Sequence, residues 1–84
     1  PIEFEIQNKE VVITYPASIR NKMKNGHIEL YRPSQAKLDF DLPVNTNSGI
    51  QRISQEMLPS GRWQMSLRFE IDGEKYLLEK NFKI

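Results

Sequence analysis

The sequence predicts an all-β fold, an immunoglobulin-like two-sheet antiparallel β-sandwich of about seven strands. Three observations carry that prediction. Apolar and polar residues alternate with period two in run after run. Clusters of Pro, Gly, Asn, Asp and Ser separate those runs. One Asp-Gly pair, Asp72-Gly73, joins the two longest alternating segments.

The elements follow in chain order. Ile2, Phe4 and Ile6 alternate with Glu3, Glu5 and Gln7, the pattern of a half-buried strand, and Asn8-Lys9 is a polar break. Val11, Ile13 and Tyr15 alternate with Val12 and Thr14, and the β-branched content favours a strand. Pro16 ends it. Residues 17–25 fit one helical turn, with Ile19 and Met23 four apart, or a polar connection across the end of the sandwich; Gly26 closes the segment. Ile28 and Leu30 alternate with His27, Glu29 and Tyr31 on the next strand, which a turn at Pro33-Ser34-Gln35 ends. Leu38, Phe40 and Leu42 alternate with Asp39 and Asp41 up to Pro43. Residues 45–49 are a polar loop, Ile50 and Ile53 mark a short strand, and a connector runs through Leu58-Pro59-Ser60-Gly61.

The last hairpin is the best determined. Trp63, Met65, Leu67, Phe69 and Ile71 share one face, and Arg62, Gln64, Ser66, Arg68 and Glu70 share the other. Asp72-Gly73 predicts a two-residue type I′ turn, because both positions take positive φ. Tyr76, Leu78, Phe82 and Ile84 form the returning apolar stripe, interrupted by Lys80, which predicts a bulge there or a strand end leaving the core. Trp63, Phe4, Phe40 and Phe69 are the expected large core residues. With no cysteine there is no cross-sheet disulfide of the antibody type. A small open barrel is the alternative architecture.

Eighty-four residues form a single domain, 1–84, with 38% hydrophobic and 27% charged residues, a balance typical of globular rather than disordered chains. The net charge of +1 argues against nucleic acid as the main partner, since phosphate contacts need a surplus of Lys and Arg on one face. Arg20, Lys22, Lys24, Arg32 and Lys37 form one basic stretch that reads as a solvated loop or as a patch for a lipid headgroup or an acidic partner. The strand pattern starts immediately after Pro1, which reads as a piece excised from a longer protein.

No catalytic residues emerge. His27 is the sole histidine and faces solvent in the predicted strand, away from any Ser and Asp partners a hydrolytic triad requires. Zinc sites need three or four ligands, and none can be assembled. Copper(I) takes thioethers; His27 and Met23 are the one pair close in sequence, and two ligands make a weak site. Met65 lies on the apolar face of the long strand, so packing is its role. Asp39/Asp41 and Glu3/Glu5 share strand faces as paired carboxylates do in glycosidases, but alternation makes them the solvated side. No glycine-rich phosphate loop and no cofactor motif is present. Tyr31, facing away from Ile28 and Leu30, is the best interface aromatic, and for Tyr76 core packing is expected. The interface candidates are Tyr31, His27 and Glu29 on one strand face, with Arg20, Lys22 and Lys24 in the loop before it.

Leu30-Tyr31-Arg32-Pro33-Ser34, Leu38-Asp39-Phe40, Pro43, Gly61-Arg62-Trp63, Tyr76 and Lys80 occur in an order and spacing that resembles the soluble domain of the FixH family, in the form found in Bacteroidetes-type bacteria. The resemblance covers residues 11–84. It implies a single-span inner-membrane protein with an N-terminal helix, absent here, and this domain in the periplasm. It further implies FixG-, FixI- and FixS-like partners, among them a copper-pumping ATPase, and a role in maturation of a cbb(3)-type haem–copper cytochrome c oxidase. It supplies no catalytic or metal-binding residues; the shared positions look structural. Two other functions fit the residues: an immunoglobulin-like accessory or adhesion module of a larger surface protein, and a periplasmic copper carrier.

Overall fold

A computed structural model gives the fold; it describes residues 2–8 and 10–84. Seven strands form two antiparallel sheets. They are β1 (Glu3–Gln7), β2 (Glu10–Thr14), β3 (Lys24–Tyr31), β4 (Phe40–Pro43), β5 (Ile50–Ser54), β6 (Arg62–Ile71) and β7 (Glu74–Lys83). One sheet has the order β1-β2-β5 and the other β4-β3-β6-β7. In an antibody constant domain the fourth strand lies beside the fifth. Here it pairs with the third, Ile28 opposite Leu42 and Leu30 opposite Phe40. The fold is thus the expected immunoglobulin-like sandwich with its fourth strand carried to the opposite sheet.

The core lies where the two alternating faces meet. Val11, Ile13, Ile28, Leu30, Ile53, Leu58, Trp63, Met65 and Leu67 are buried there with Tyr15 and Phe69. Each aliphatic side chain so buried contributes about 1.5–3 kcal/mol. Phe4 and Phe40 are only half-buried and pack against this cluster from its rim. Their strands, β1 and β4, are edge strands, so one flank of each ring stays open.

Several local expectations change for identifiable reasons. The ambiguous 17–25 segment contains one helical turn, α1 (Ala17–Arg20), but Met23 lies beyond it. β3 begins at Lys24, three residues before the predicted start, through a register shift between Lys24 and His27. Gly26 therefore sits inside the strand, where a Cβ would come within 2.8 Å of the Val44 side chain. The stripe of Leu38, Phe40 and Leu42 begins in a 3₁₀ turn (Ala36–Leu38), so β4 is shorter than the alternation suggests. Lys80 causes no bulge: β6 and β7 stay in register from Arg62 opposite Lys83 to Ile71 opposite Glu74. The inward-facing lysine is accommodated because β7 is an edge strand with open space above it. Asp72 and Gly73 have φ of 51° and 82°, the positive values a type I′ turn demands. The break at Asn8-Lys9 retains only Asn8, at φ 49°; Lys9 lies outside the described residues.

The two sides of the sandwich differ. On the β5/β4 side, Gln51 ties the sheets together. Its Nε2 donates to the Pro43 carbonyl (3.1 Å), and its Oε1 accepts from the Asn45 N–H (3.0 Å) and the Tyr15 hydroxyl (2.8 Å). On the β1/β7 side a slot of about 260 Å³ separates the edges, lined by Phe4, Ile6, Met65, Lys80 and Phe82.

Candidate functional site

The three most specific fragments of the sequence, 30–34, 38–40 and 61–63, converge at one end of the sandwich. Arg32 leaves β3 directly after Tyr31, and its N–H donates to Asp39 Oδ1 (2.9 Å), which closes the turn back into β4. Its guanidinium lies 5.4 Å from the centroid of the Trp63 ring. Arg32 Nη1 donates to the Pro59 carbonyl (3.0 Å), and Trp63 Nε1 donates to the same oxygen (2.8 Å). Phe40 meets the Trp63 ring edge-on, at 6.0 Å and 74°.

Gly61 completes this arrangement. Its φ is +127°, where only glycine is relaxed, and a Cβ would overlap Arg32 Nη2. Its N–H and C=O each bond with Ile84 (2.9 Å), fastening the connector to the residue that follows β7. Arg32, Asp39, Phe40, Gly61 and Trp63 are therefore spent on one another, while Tyr31 and Arg62 of the same fragments stay exposed. A cation over a ring at a partly exposed site contributes about 0.5–1 kcal/mol.

The outer face of the four-stranded sheet runs up to this cluster. Tyr31 stands opposite Gln64, with Arg62 two residues along β6 and opposite Lys83. Tyr31 is 41% exposed, and Arg62, Pro33 and Lys83 are exposed around it. A shallow depression passes between Pro33, Arg62, Gln64 and Lys83. Farther along, Glu29 Oε1 accepts from Arg68 Nε (2.8 Å) and lies 3.9 Å from His27 Nε2. These solvent-screened pairs contribute about 0–1 kcal/mol each. Gln64 donates to Glu79 on the neighbouring strand (3.0 Å).

The predicted basic loop separates into two parts. Lys22 and Lys24 are exposed, but Arg20 turns inward: Nη2 donates to the Tyr15 carbonyl (2.9 Å) and the guanidinium packs against Gly49. Arg20 Nε is buried without a partner. Arg20 thus ties α1 to the β2 end rather than presenting charge to a partner. Met23 and His27 are not brought together, since Met23 packs on the core rim while His27 stands exposed on the outer face. Among the described residues, no group of three or more His, Cys, Asp and Glu side chains is placed to hold a metal.

Tyr15 and Gln51 escaped sequence reasoning as a pair. The parity of Tyr15 with Val11 and Ile13 marks it as inward, but nothing in the sequence announces its acceptor 36 residues on. Burial pushes the Tyr15 phenol up to about 12. Tyr76 does lie on the inner face, stacked on Phe69 at 5.3 Å, yet it is 43% exposed because the β6–β7 hairpin outreaches the smaller sheet.

No curated protein and no solved structure matches the chain significantly. The family model FixH matches residues 2–83, nearly every residue of the sequence and all of the elements described above, and the chain belongs to the FixH family.

Proposed function

We propose that this chain is the extracytoplasmic interaction domain of a membrane-anchored FixH protein and assists maturation of a cbb(3)-type haem–copper cytochrome c oxidase without catalysing a reaction. The FixH family is typically membrane-anchored with a periplasmic domain, and it is not known as an enzyme family. No helix among the described residues is long and apolar enough to cross a membrane. In this reading the anchor is a helix upstream of Pro1.

One observation carries the reading beyond family membership. The motif residues Arg32, Asp39, Gly61 and Trp63 interlock at one end of the sandwich, and beside them an aromatic and two cations, Tyr31, Arg62 and Lys83, stand exposed on paired strands. Tyr and Arg are the residues that anchor protein interfaces. The partners in this proposal are FixG-, FixI- and FixS-like membrane proteins or oxidase subunits.

Deletion of the gene, followed by a haem–copper oxidase assay on membranes, tests the reading. Loss of assembled oxidase, restored by the wild-type gene but not by a Tyr31→Ala/Arg62→Glu variant, is the expected result. Normal oxidase content in the deletion strain refutes it.

A further inference from the structure

The free edge of β7 is complementary to itself. Among the described residues β7 bonds only to β6, and two large apolar side chains on it, Tyr76 and Leu77, are 43% and 47% exposed. The type I′ turn joins the Ile71 carbonyl to the Glu74 N–H. Backbone groups then alternate along β7, so those of Lys75, Leu77, Glu79 and Asn81 point away from β6. They are an unpaired template for another strand.

We propose that a second copy of this chain pairs there, β7 against β7 and antiparallel, with Leu77 on the two-fold axis. In that register Glu74 faces Lys80 of the second copy and Lys75 faces its Glu79. Tyr76 faces Leu78, and Leu77 faces itself. Every charge from 74 to 80 meets its opposite. The hydrogen-bonded pairs fall on residues 75, 77 and 79, whose backbone groups are the free ones. Lys80, which has no ion-pair partner among the described residues, gains one beside the slot it lines.

Other registers lack this match. An axis at Leu78 sets Tyr76 against Lys80 and Leu77 against Glu79. An axis at Glu79 sets that carboxylate on itself and Lys75 on Lys83. An axis at Lys80 sets two ammonium groups together. An axis between residues would place inward side chains opposite outward ones, which the pleat forbids. The result is an isologous dimer with a continuous sheet across the seam. So short a strand pair is small for an interface, and its dissociation constant falls between about 10 µM and 1 mM.

Sedimentation equilibrium of the 84-residue chain up to about 1 mM tests the proposal. Glu74→Lys and Lys80→Glu alter no ion pair within one copy, and each reverses two contacts of the dimer. Each variant should weaken association about tenfold, and the double variant should recover it. Leu77→Pro removes a donor that only the seam uses and should abolish the dimer while the thermal melt stays cooperative. Amides of Lys75, Leu77 and Glu79 should gain exchange protection as concentration rises. A chain still monomeric at about 1 mM overturns the proposal, and so does a dimer whose double variant fails to recover.

Discussion

Replacing Tyr15 with Phe removes one hydroxyl from the link that closes the β5/β4 side. At pH 8 the loss is modest. Gln51 Oε1 keeps its bond from the Asn45 N–H, so no acceptor is orphaned, and the cost is that of one hydrogen bond, about 1 kcal/mol. At high pH the order reverses. The phenol titrates near 10 in the unfolded chain and at about 12 when folded. Between those values the unfolded state binds fewer protons than the folded one, so stability falls as pH rises. The loss begins near pH 10, reaches about 1 kcal/mol at pH 11 and ends between about 2 and 3 kcal/mol above pH 12. Tyr15→Phe lacks this loss. The wild type is the more stable below about pH 11 and the variant above it. Urea unfolding at each pH, followed by fluorescence of the single tryptophan, Trp63, measures both. Other groups that titrate in this range are common to both proteins and cancel in the difference. Stability curves that run parallel from pH 8 to 12 would refute the buried phenol.

Gly61→Ala should cost about 2–4 kcal/mol, because it combines a strained φ with displacement of the Arg32 guanidinium from Trp63. Gly73→Ala, with a positive φ but nothing within 4 Å, should cost only about 1–2 kcal/mol; equal losses in urea titrations would contradict the packing of Gly61 against Arg32. Arg32→Ala should destabilise by about 1–3 kcal/mol and shift the tryptophan emission, since the Trp63 ring loses its cover. An unchanged spectrum and midpoint would show that the cation does not rest on the ring.

Much of this fold is legible in the sequence because a period of two leaves little choice of face. The stripe from Trp63 to Ile71 is legible at once, as are the positive φ values at Asp72-Gly73. What stays hidden is long-range or set by edges. The stripe of Phe4 or Phe40 says which way each ring points, not that its strand ends a sheet and leaves one flank bare. Lys80 breaks the apolar pattern for the same reason. The start of β3 depends on Gly26 fitting under Val44, a contact across 18 residues that local patterning does not contain. Of the candidate surface, Tyr31 is legible from parity alone. The charge of Arg20 gives no sign that its guanidinium turns back to the Tyr15 carbonyl. Arg32, read as one more cation of a basic stretch, instead organises the end of the domain through Trp63, Pro59 and Asp39.

On the function proposed above, the Tyr31 end of the domain touches a membrane partner in oxidase maturation. Site-specific photocrosslinking from position 31 of the full-length protein in intact membranes tests it most directly, with exposed Asn47 on the opposite connection as the control site. A discrete adduct with a FixG-, FixI- or FixS-like protein or an oxidase subunit is expected from position 31 and none from 47. The same products from both positions, or none of these proteins from position 31, would contradict it.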